Sequence, residues 1–198
     1  MSKGDDTRAA ILDLAVAEAS RLGFEGLTLG NLARQAGLSK SGLFAHFGSK
    51  EDLQLAVLEA GVERFVERVI APALRAPRGL PRIEALFEGW LAWTRLPGLP
   101  GGCLFVALAN ELDDRPGPVR DRLVAYQRDW IETLATAARI ATDEGHFRAG
   151  LDCHQFAYDF YSIELAYQHF NRLLRDPDAE RRARTAFAEL LSLARAGD

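Results

Sequence analysis

Thr28–Leu53 reads TLGNLARQAGLSKSGLFAHFGSKEDL, and this stretch decides the fold. Thr28 puts a hydroxyl at the start of a helical run, where it can cap free backbone amides. Leu29, Leu32, Ala33 and Ala36 recur at helical spacing and give a narrow apolar face. Gly37 marks the stop, because glycine tolerates the left-handed conformation of a helix end. Leu38 is apolar and can plug the angle between two helices. Ser39 is a second cap and opens the run Lys40–Phe47, which Gly48 ends. Ser49, with Asp52 three places on, caps a third helix, aspartate being a weaker reciprocal partner than the usual Glu or Gln.

Two short helices joined by a tight turn, with small and polar residues on the outer face of the second, are what a protein needs to lay one helix in a DNA groove. That helix is predicted at Lys40–Phe47. Lys40 and Ser41 stand at its N-terminal end, which meets the DNA first, and Gly42 removes a side chain so that backbone can approach closely. His46 and Lys50 suit phosphate contacts, and Thr28, Ser39, Ser49 and the helix N-termini add dipoles favourable to an anion. Three ordinary packed helices would also fit the apolar spacing. The coincidence of small and polar residues with the outward face, framed by two capped starts, favours DNA.

The same stretch resembles the N-terminal domain of the tetracycline-repressor (TetR) family of bacterial transcription regulators. The residues that carry the resemblance are Thr28, Leu32–Ala33, Ala36–Gly37–Leu38–Ser39, Leu43–Phe44–x–His46–Phe47 and Lys50–Glu51, an ungapped match over about a quarter of the chain. The family often has tyrosine, whose hydroxyl touches a phosphate, where this chain has Phe44, so that one contact is missing. The resemblance implies an all-α protein whose last two long helices pair with their copies in a four-helix dimer interface. It also implies a repressor that leaves its operator when a ligand in the larger domain moves the helix linking the domains.

Composition fits that picture. The 198 residues allow one large or two small domains, and 48% hydrophobic content can fill a sizeable core. The uncharged stretch Leu96–Asn110 spans 15 residues and is broken by prolines and glycines, which excludes a membrane span there. The start MSKGDDTR has no apolar leader, so a cytoplasmic location is expected. Cys103 and Cys153 do not make a disulfide framework. Net charge is −4, but residues 1–50 hold six Lys+Arg against five Asp+Glu, and all three lysines (Lys3, Lys40, Lys50) lie among them. So mild a basic excess predicts modest nonspecific DNA affinity and reliance on two copies binding together.

Beyond residue 50 no segment shows a convincing strand pattern, and about nine helices are predicted in all. A first helix starts near Asp6 or Thr7, carries Ile11, Leu12, Ala15, Val16, Ala19 and Leu22 on one side, and stops at Gly23. A long helix runs from Lys50 to about Pro72 and links a helix-turn-helix domain (1–50) to a ligand-binding and dimerisation domain (51–198). Further helices are expected at Pro81–Thr94, at Cys103–Leu112 and from Pro116-Gly117-Pro118 to Gly145. The last two are expected from Asp152 to Leu174 and from Asp176-Pro177 to about Ala196, the latter with Ala183, Phe187, Leu190 and Ala194 in one stripe. On the Asp152–Leu174 helix, Phe156, Phe160, Ile163, Tyr167, Phe170 and Leu174 form an apolar face, and Tyr161, Glu164 and Gln168 a second one. These last helices, 152–174 and 177–196, are the expected dimer surface, with burial inside the chain as the alternative for the first of them. A symmetric dimer calls for a near-palindromic double-stranded operator.

Small-molecule pockets are mostly apolar with a few placed polar groups. Trp90, Trp93, Phe105, Trp130, Phe160 and Tyr167 are the aromatic candidates for an effector site, and Asn110, Glu164 and Gln168 the polar ones. For any one of them core packing is the competing role. Cys103 follows Gly101-Gly102 at a helix N-terminus, a setting that can activate a thiol, so a redox-sensing regulator is one alternative and a ligand-independent DNA-binding protein of this fold another. No cofactor and no enzyme activity are expected. None of His46, His146, His154 and His169 has Glu three places before it, as a di-iron bundle needs, and there is no phosphate loop and no Gly-x-Ser-x-Gly elbow.

Overall fold

The computed structural model describes residues 3–196 and the side chains of 4–196; Met1 and Ser2, which head the run MSKGDDTR, lie outside it. The elements are α1 (Lys3–Gly26), α2 (Leu29–Gln35), α3 (Lys40–Phe47), α4 (Lys50–Phe65), a π-helical turn at Val66–Ile70, α5 (Ala71–Arg75), α6 (Leu80–Trp93), α7 (Leu104–Leu112), α8 (Pro118–Asp143), α9 (Cys153–Gln168), a second π-helical turn at His169–Leu173, and α10 (Ala179–Ala194). Counting Lys50–Arg75 as one unbroken helix gives nine helices among the described residues, where the only β pairing is an isolated bridge between Phe147 and Arg195. The protein is all-α. No helix among these residues is long and apolar enough to cross a membrane.

Several boundaries differ from the sequence expectation, each for a physical reason. α1 begins at Lys3, so Asp5 and Asp6 lie in its first turn, where carboxylates complement the positive end of the helix dipole without capping it. Leu22 points outward, one residue before the helix loses regular geometry at Gly23. The linking helix passes Pro72 and ends at Arg75. Proline is tolerated in the first turn of a helical segment, and the wide π-turn just before it lets Pro72 occupy that position in α5. α10 starts at Ala179, and its buried stripe is Ala183, Phe187, Leu191 and Ala194, with Leu191 taking the place expected for Leu190.

α9 and the second π-turn differ from the expectation as well. α9 is capped as expected, the Asp152 carboxylate accepting the amides of His154 and Gln155, both at 3.0 Å. Phe156, Phe160 and Tyr167 are buried and Ile163 half-buried. Phe170 keeps the face of Ile163 and Tyr167, lining a groove with them, but is 40% exposed because that face is uncovered in the single chain; Leu174, which closes the π-turn, is exposed as well. Glu164 and Gln168, assigned to a separate face, are buried instead, because they stand one turn beyond Phe160 and beside Tyr167.

The chain packs as two compact units. One comprises the residues up to Phe65 together with Trp93–Ala125. In it α1 packs on α7, α4 and α2, and Trp93, Phe65 and Phe105 form a ring cluster with centroids 5.3–6.3 Å apart. The other comprises Val66–Ala92 and the chain from Tyr126 onward. Its core is aromatic: Phe87 stacks on Phe187 at 3.9 Å, and both meet Phe160 edge-on. At the rim of that core Arg184 of α10 bridges Glu88 of α6 and Glu180.

Candidate nucleic-acid interface and effector interior

In the first unit α2 and α3 are held by local chemistry that the sequence dictates. The Thr28 hydroxyl accepts the Asn31 amide at 3.2 Å, and the Ser39 hydroxyl accepts the Gly42 amide at 3.0 Å. α2 closes in a Schellman arrangement, Leu38 N–H to Ala33 C=O at 2.8 Å and Gly37 N–H to Arg34 C=O at 3.2 Å, with Gly37 at φ 67°. Leu38 is half-buried in the turn. Gly48 sits at φ 74°, ψ −54°, and Ser49 N–H reaches Phe47 C=O at 2.8 Å, a γ-turn open to glycine and strained for other residues. Ser49 then caps α4 by accepting the Asp52 amide at 3.0 Å. Asp52 answers by accepting the Ser49 hydroxyl at 2.6 Å, so the reciprocal contact is to the side chain and not to the backbone amide.

Leu43 and Phe47 turn inward, and Arg8 of α1 lies 5.1 Å from the Phe47 ring centroid. The opposite face of α3 presents Lys40, Ser41, Phe44 and Ala45 to solvent, Phe44 with 41% of its surface exposed. Ser39 and Ser41 share a hydroxyl–hydroxyl hydrogen bond at 3.0 Å, and Lys40 extends past Gly30, where a methyl group would stand 3.2 Å from its Cε. Thr28 and Lys50 are exposed; Gly42 and His46 are half-buried. Seven of the eight candidate DNA-binding residues lie on α3 or on the caps of α2 and α3, whereas Lys50, at the start of α4, borders a cavity with Phe24, Glu25, Glu111 and Arg115. Arg34, exposed and hydrogen-bonded to Asn31 at 2.6 Å, belongs to the same motif and was not singled out from the sequence. Its position in the last turn of α2 was the available signal.

The effector candidates divide between the two units. Trp90, Trp130, Phe160, Glu164, Tyr167 and Gln168 are buried in the second unit, where the Trp90 and Tyr167 rings meet edge-on at 5.6 Å and those of Trp130 and Phe160 at 6.5 Å. Trp93, Cys103, Phe105 and Asn110 belong to the first unit. Trp93 and Phe105 are in its ring cluster, whereas Asn110 is exposed on α7 and joins no interior. Cys103 is the N-cap residue of α7, as its sequence position implies, but it is only 3% exposed, and a reactive thiol needs access.

Glu164 stands apart. Its side chain is wholly buried, its Oε2 accepts the Trp130 indole N–H at 2.9 Å, and its Oε1 has no partner. Burial drives its pKa well above the ordinary carboxyl value, the indole hydrogen bond opposing this only in part, and this favours the protonated form. Among the described residues no three His, Cys, Asp or Glu side chains are grouped to hold a metal ion.

Comparison with known proteins agrees with this architecture. Residues 11–57 match the model of bacterial regulatory proteins of the tetR family, and residues 79–187 match that of the tetracyclin repressor-like C-terminal domain. A search of the curated proteins finds no match. Among solved structures, a TetR transcriptional regulator from Chloroflexus aurantiacus is 26% identical over the full length of both chains, with a TM-score of 0.83. A TetR-family regulator from Cytophaga hutchinsonii is 16% identical over 100% of this chain and 99% of its own, with a TM-score of 0.86. AibR, solved in complex with isovaleryl coenzyme A and operator DNA, is 23% identical over 93% and 98% of the two chains, with a TM-score of 0.73. With the helix-turn-helix and the C-terminal helical domain both matched, the chain belongs to the TetR family of bacterial transcription regulators.

Proposed function

We infer that this protein is a homodimeric, cytoplasmic repressor that leaves a near-palindromic operator when a small-molecule effector binds. Residues 1–50 read the DNA, and residues 51–198 receive the effector and form the dimer. Lys40 and Ser41 approach base edges, backbone at Gly42 allows the close approach, and Thr28, Ser39, Phe44, His46 and Lys50 flank the phosphates. The observation that carries this is the outer face of α3, which is solvent-exposed, polar at its N-terminal end and fixed by two capped turns.

The dimer reading draws on apolar surface left uncovered in the single chain. Leu165 on α9, Phe170 and Leu173 in the π-turn after it and Leu174, which closes that turn, are exposed, Leu173 by 70%. Beside them a groove of about 300 Å³ runs between α9 and α10, lined by Ile163, Ala166, Tyr167, Phe170, Ala179 and Ala183 among others. Exposed apolar surface beside an apolar groove is the character of an interaction site. The effector reading draws on Glu164, whose unpartnered Oε1 belongs to a side chain bonded to Trp130 and one turn from Phe160, with buried Gln168 one turn further on; aromatic groups with a few polar ones are the composition of a small-molecule site. AibR, which shares the fold, was solved with both an acyl-coenzyme A and operator DNA bound. An effector switches the protein only if it binds the DNA-competent and released shapes unequally.

Lys40→Ala combined with Lys50→Ala tests the interface. Fluorescence anisotropy with a duplex enriched from a random pool by the wild-type protein should show affinity reduced roughly tenfold or more at low salt, with a shallower salt dependence, because phosphate contacts are lost. Sedimentation should show the dimer intact. Unchanged affinity would remove α3 and the start of α4 from the DNA-reading surface.

A further inference from the structure

We propose that Glu111 is a positioning residue for DNA recognition, clasping from α7 the segment of chain that leads into the helix-turn-helix. The proposal rests on the reading of α3 as the recognition helix.

The clasp is a single carboxylate that satisfies two successive backbone amides. Phe24 N–H donates to Glu111 Oε2 at 2.7 Å, and Glu25 N–H donates to Oε1 at 2.8 Å. Hydrogen bonds to an ionised acceptor are the strong class, and a two-pronged contact fixes orientation as well as distance. The chain is shaped to receive it. At Gly23 regular helix gives way to φ 68°, ψ −174°, a conformation that turns the next two amides toward α7. A Cβ on Gly23 would stand 2.0 Å from Glu111 Oε2, so both the backbone angle and the approach of the carboxylate require glycine. Arg115, one turn after Glu111, donates to Glu25 Oε1 at 2.5 Å and lies 3.9 Å from Glu111 Oε1, which balances the paired carboxylates.

The place of the clasp in the chain gives it a function. Only Gly26 and Leu27 separate Glu25 from Thr28, the N-cap of α2, and Leu27 is buried. α2 passes its orientation to α3 through the Schellman turn at Gly37. A carboxylate 86 positions along the chain from Glu25 therefore fixes where the two DNA-reading helices begin. α1 packs on α4 as well as on α7, so losing the clasp frees the α1–α2 connection without removing the support behind α1.

The test combines anisotropy titration of the duplex enriched by the wild-type protein with amide exchange. Glu111→Ala is expected to bind at least tenfold more weakly and to exchange the Phe24 and Glu25 amides at least tenfold faster, while the Leu43 and Phe47 amides of α3 exchange as in wild type. Wild-type affinity in folded Glu111→Ala overturns the proposal. Glu111→Gln has the same shape but one acceptor oxygen for two amides. It should bind several-fold more weakly than wild type and more tightly than the alanine variant, and it serves alone if Glu111→Ala does not fold; wild-type affinity in the glutamine variant equally overturns the proposal. The lysine double variant separates the two ideas. Full binding there removes the recognition-helix reading itself, whereas loss there with intact binding by the Glu111 variants removes only the clasp.

Discussion

Phe160→Ala is expected to cost about 3–5 kcal/mol of stability, the usual range for emptying a buried aromatic position. Phe160 is at 0% exposure, and its ring meets those of Phe187 (5.4 Å), Phe87 (5.9 Å), Phe156 (6.3 Å) and Trp130 (6.5 Å), with the Phe187, Phe87 and Trp130 planes near perpendicular. Edge-to-face pairs contribute roughly 0.5–1.5 kcal/mol each beyond the area they bury. The neighbours come from α6, α8, α9 and α10, so the void cannot close by the shift of one helix alone. Domains of this size are stable by only about 5–15 kcal/mol in total, and the second unit should sit near its unfolding threshold in the variant. Urea denaturation followed by tryptophan fluorescence reads this directly through Trp90 and Trp130. A loss below about 1.5 kcal/mol would mean that the site collapses cheaply and that Phe160 is not the hub of this core.

The contrast between the two units shows what a sequence makes legible. Thr28, Gly37, Ser39, Gly48 and Ser49 act on backbone atoms within a few residues of themselves, so the geometry of α2, α3 and their turns could be read position by position. Phe44 and Lys40 take their outward places from the same register. Past Gln168 the π-turn, which no residue type signals, changes the helix, yet Phe170 stays on the face of Ile163 and Tyr167 and is exposed there with Leu174 because the single chain covers neither. Leu191 takes the place expected for Leu190 because three and four residues beyond Phe187 both fall near the same helix face, and spacing alone does not choose between them. Asn110 was polar and near aromatic residues in sequence, but the side of α7 it occupies depends on how that helix packs. Glu164 was visible as a candidate, and its burial was available too: Phe156, Phe160, Glu164 and Tyr167 share one helical register. The Glu111 clasp joins residues more than eighty positions apart and has no local signature at all.

Glu164→Gln should make the protein more stable as pH rises, relative to wild type, and the dependence on pH is the decisive feature. Below the ordinary carboxyl value of 4.5 the folded and unfolded chains both hold the Glu164 proton, so ionisation does not affect folding there. Above it the unfolded chain releases the proton. The folded chain keeps it, because burial raises the folded-state value and the Trp130 hydrogen bond lowers it by less. Across that window the folded state binds more protons, and wild-type stability falls by up to about 1.4 kcal/mol per pH unit until the raised value is reached. Glutamine keeps the volume and an oxygen for the indole N–H but cannot ionise. Its NH2 group, placed where Oε1 has no partner, adds a cost that does not vary with pH. Urea unfolding of both proteins from pH 4.5 upward should therefore give a steadily widening difference in favour of the variant. Parallel curves would mean that Glu164 is ionised in the folded state or reached by water. A buried carboxyl whose ionisation the core disfavours is the kind of group found at functional sites, and the unpartnered Oε1 is the atom to which an effector in the proposed site would bind.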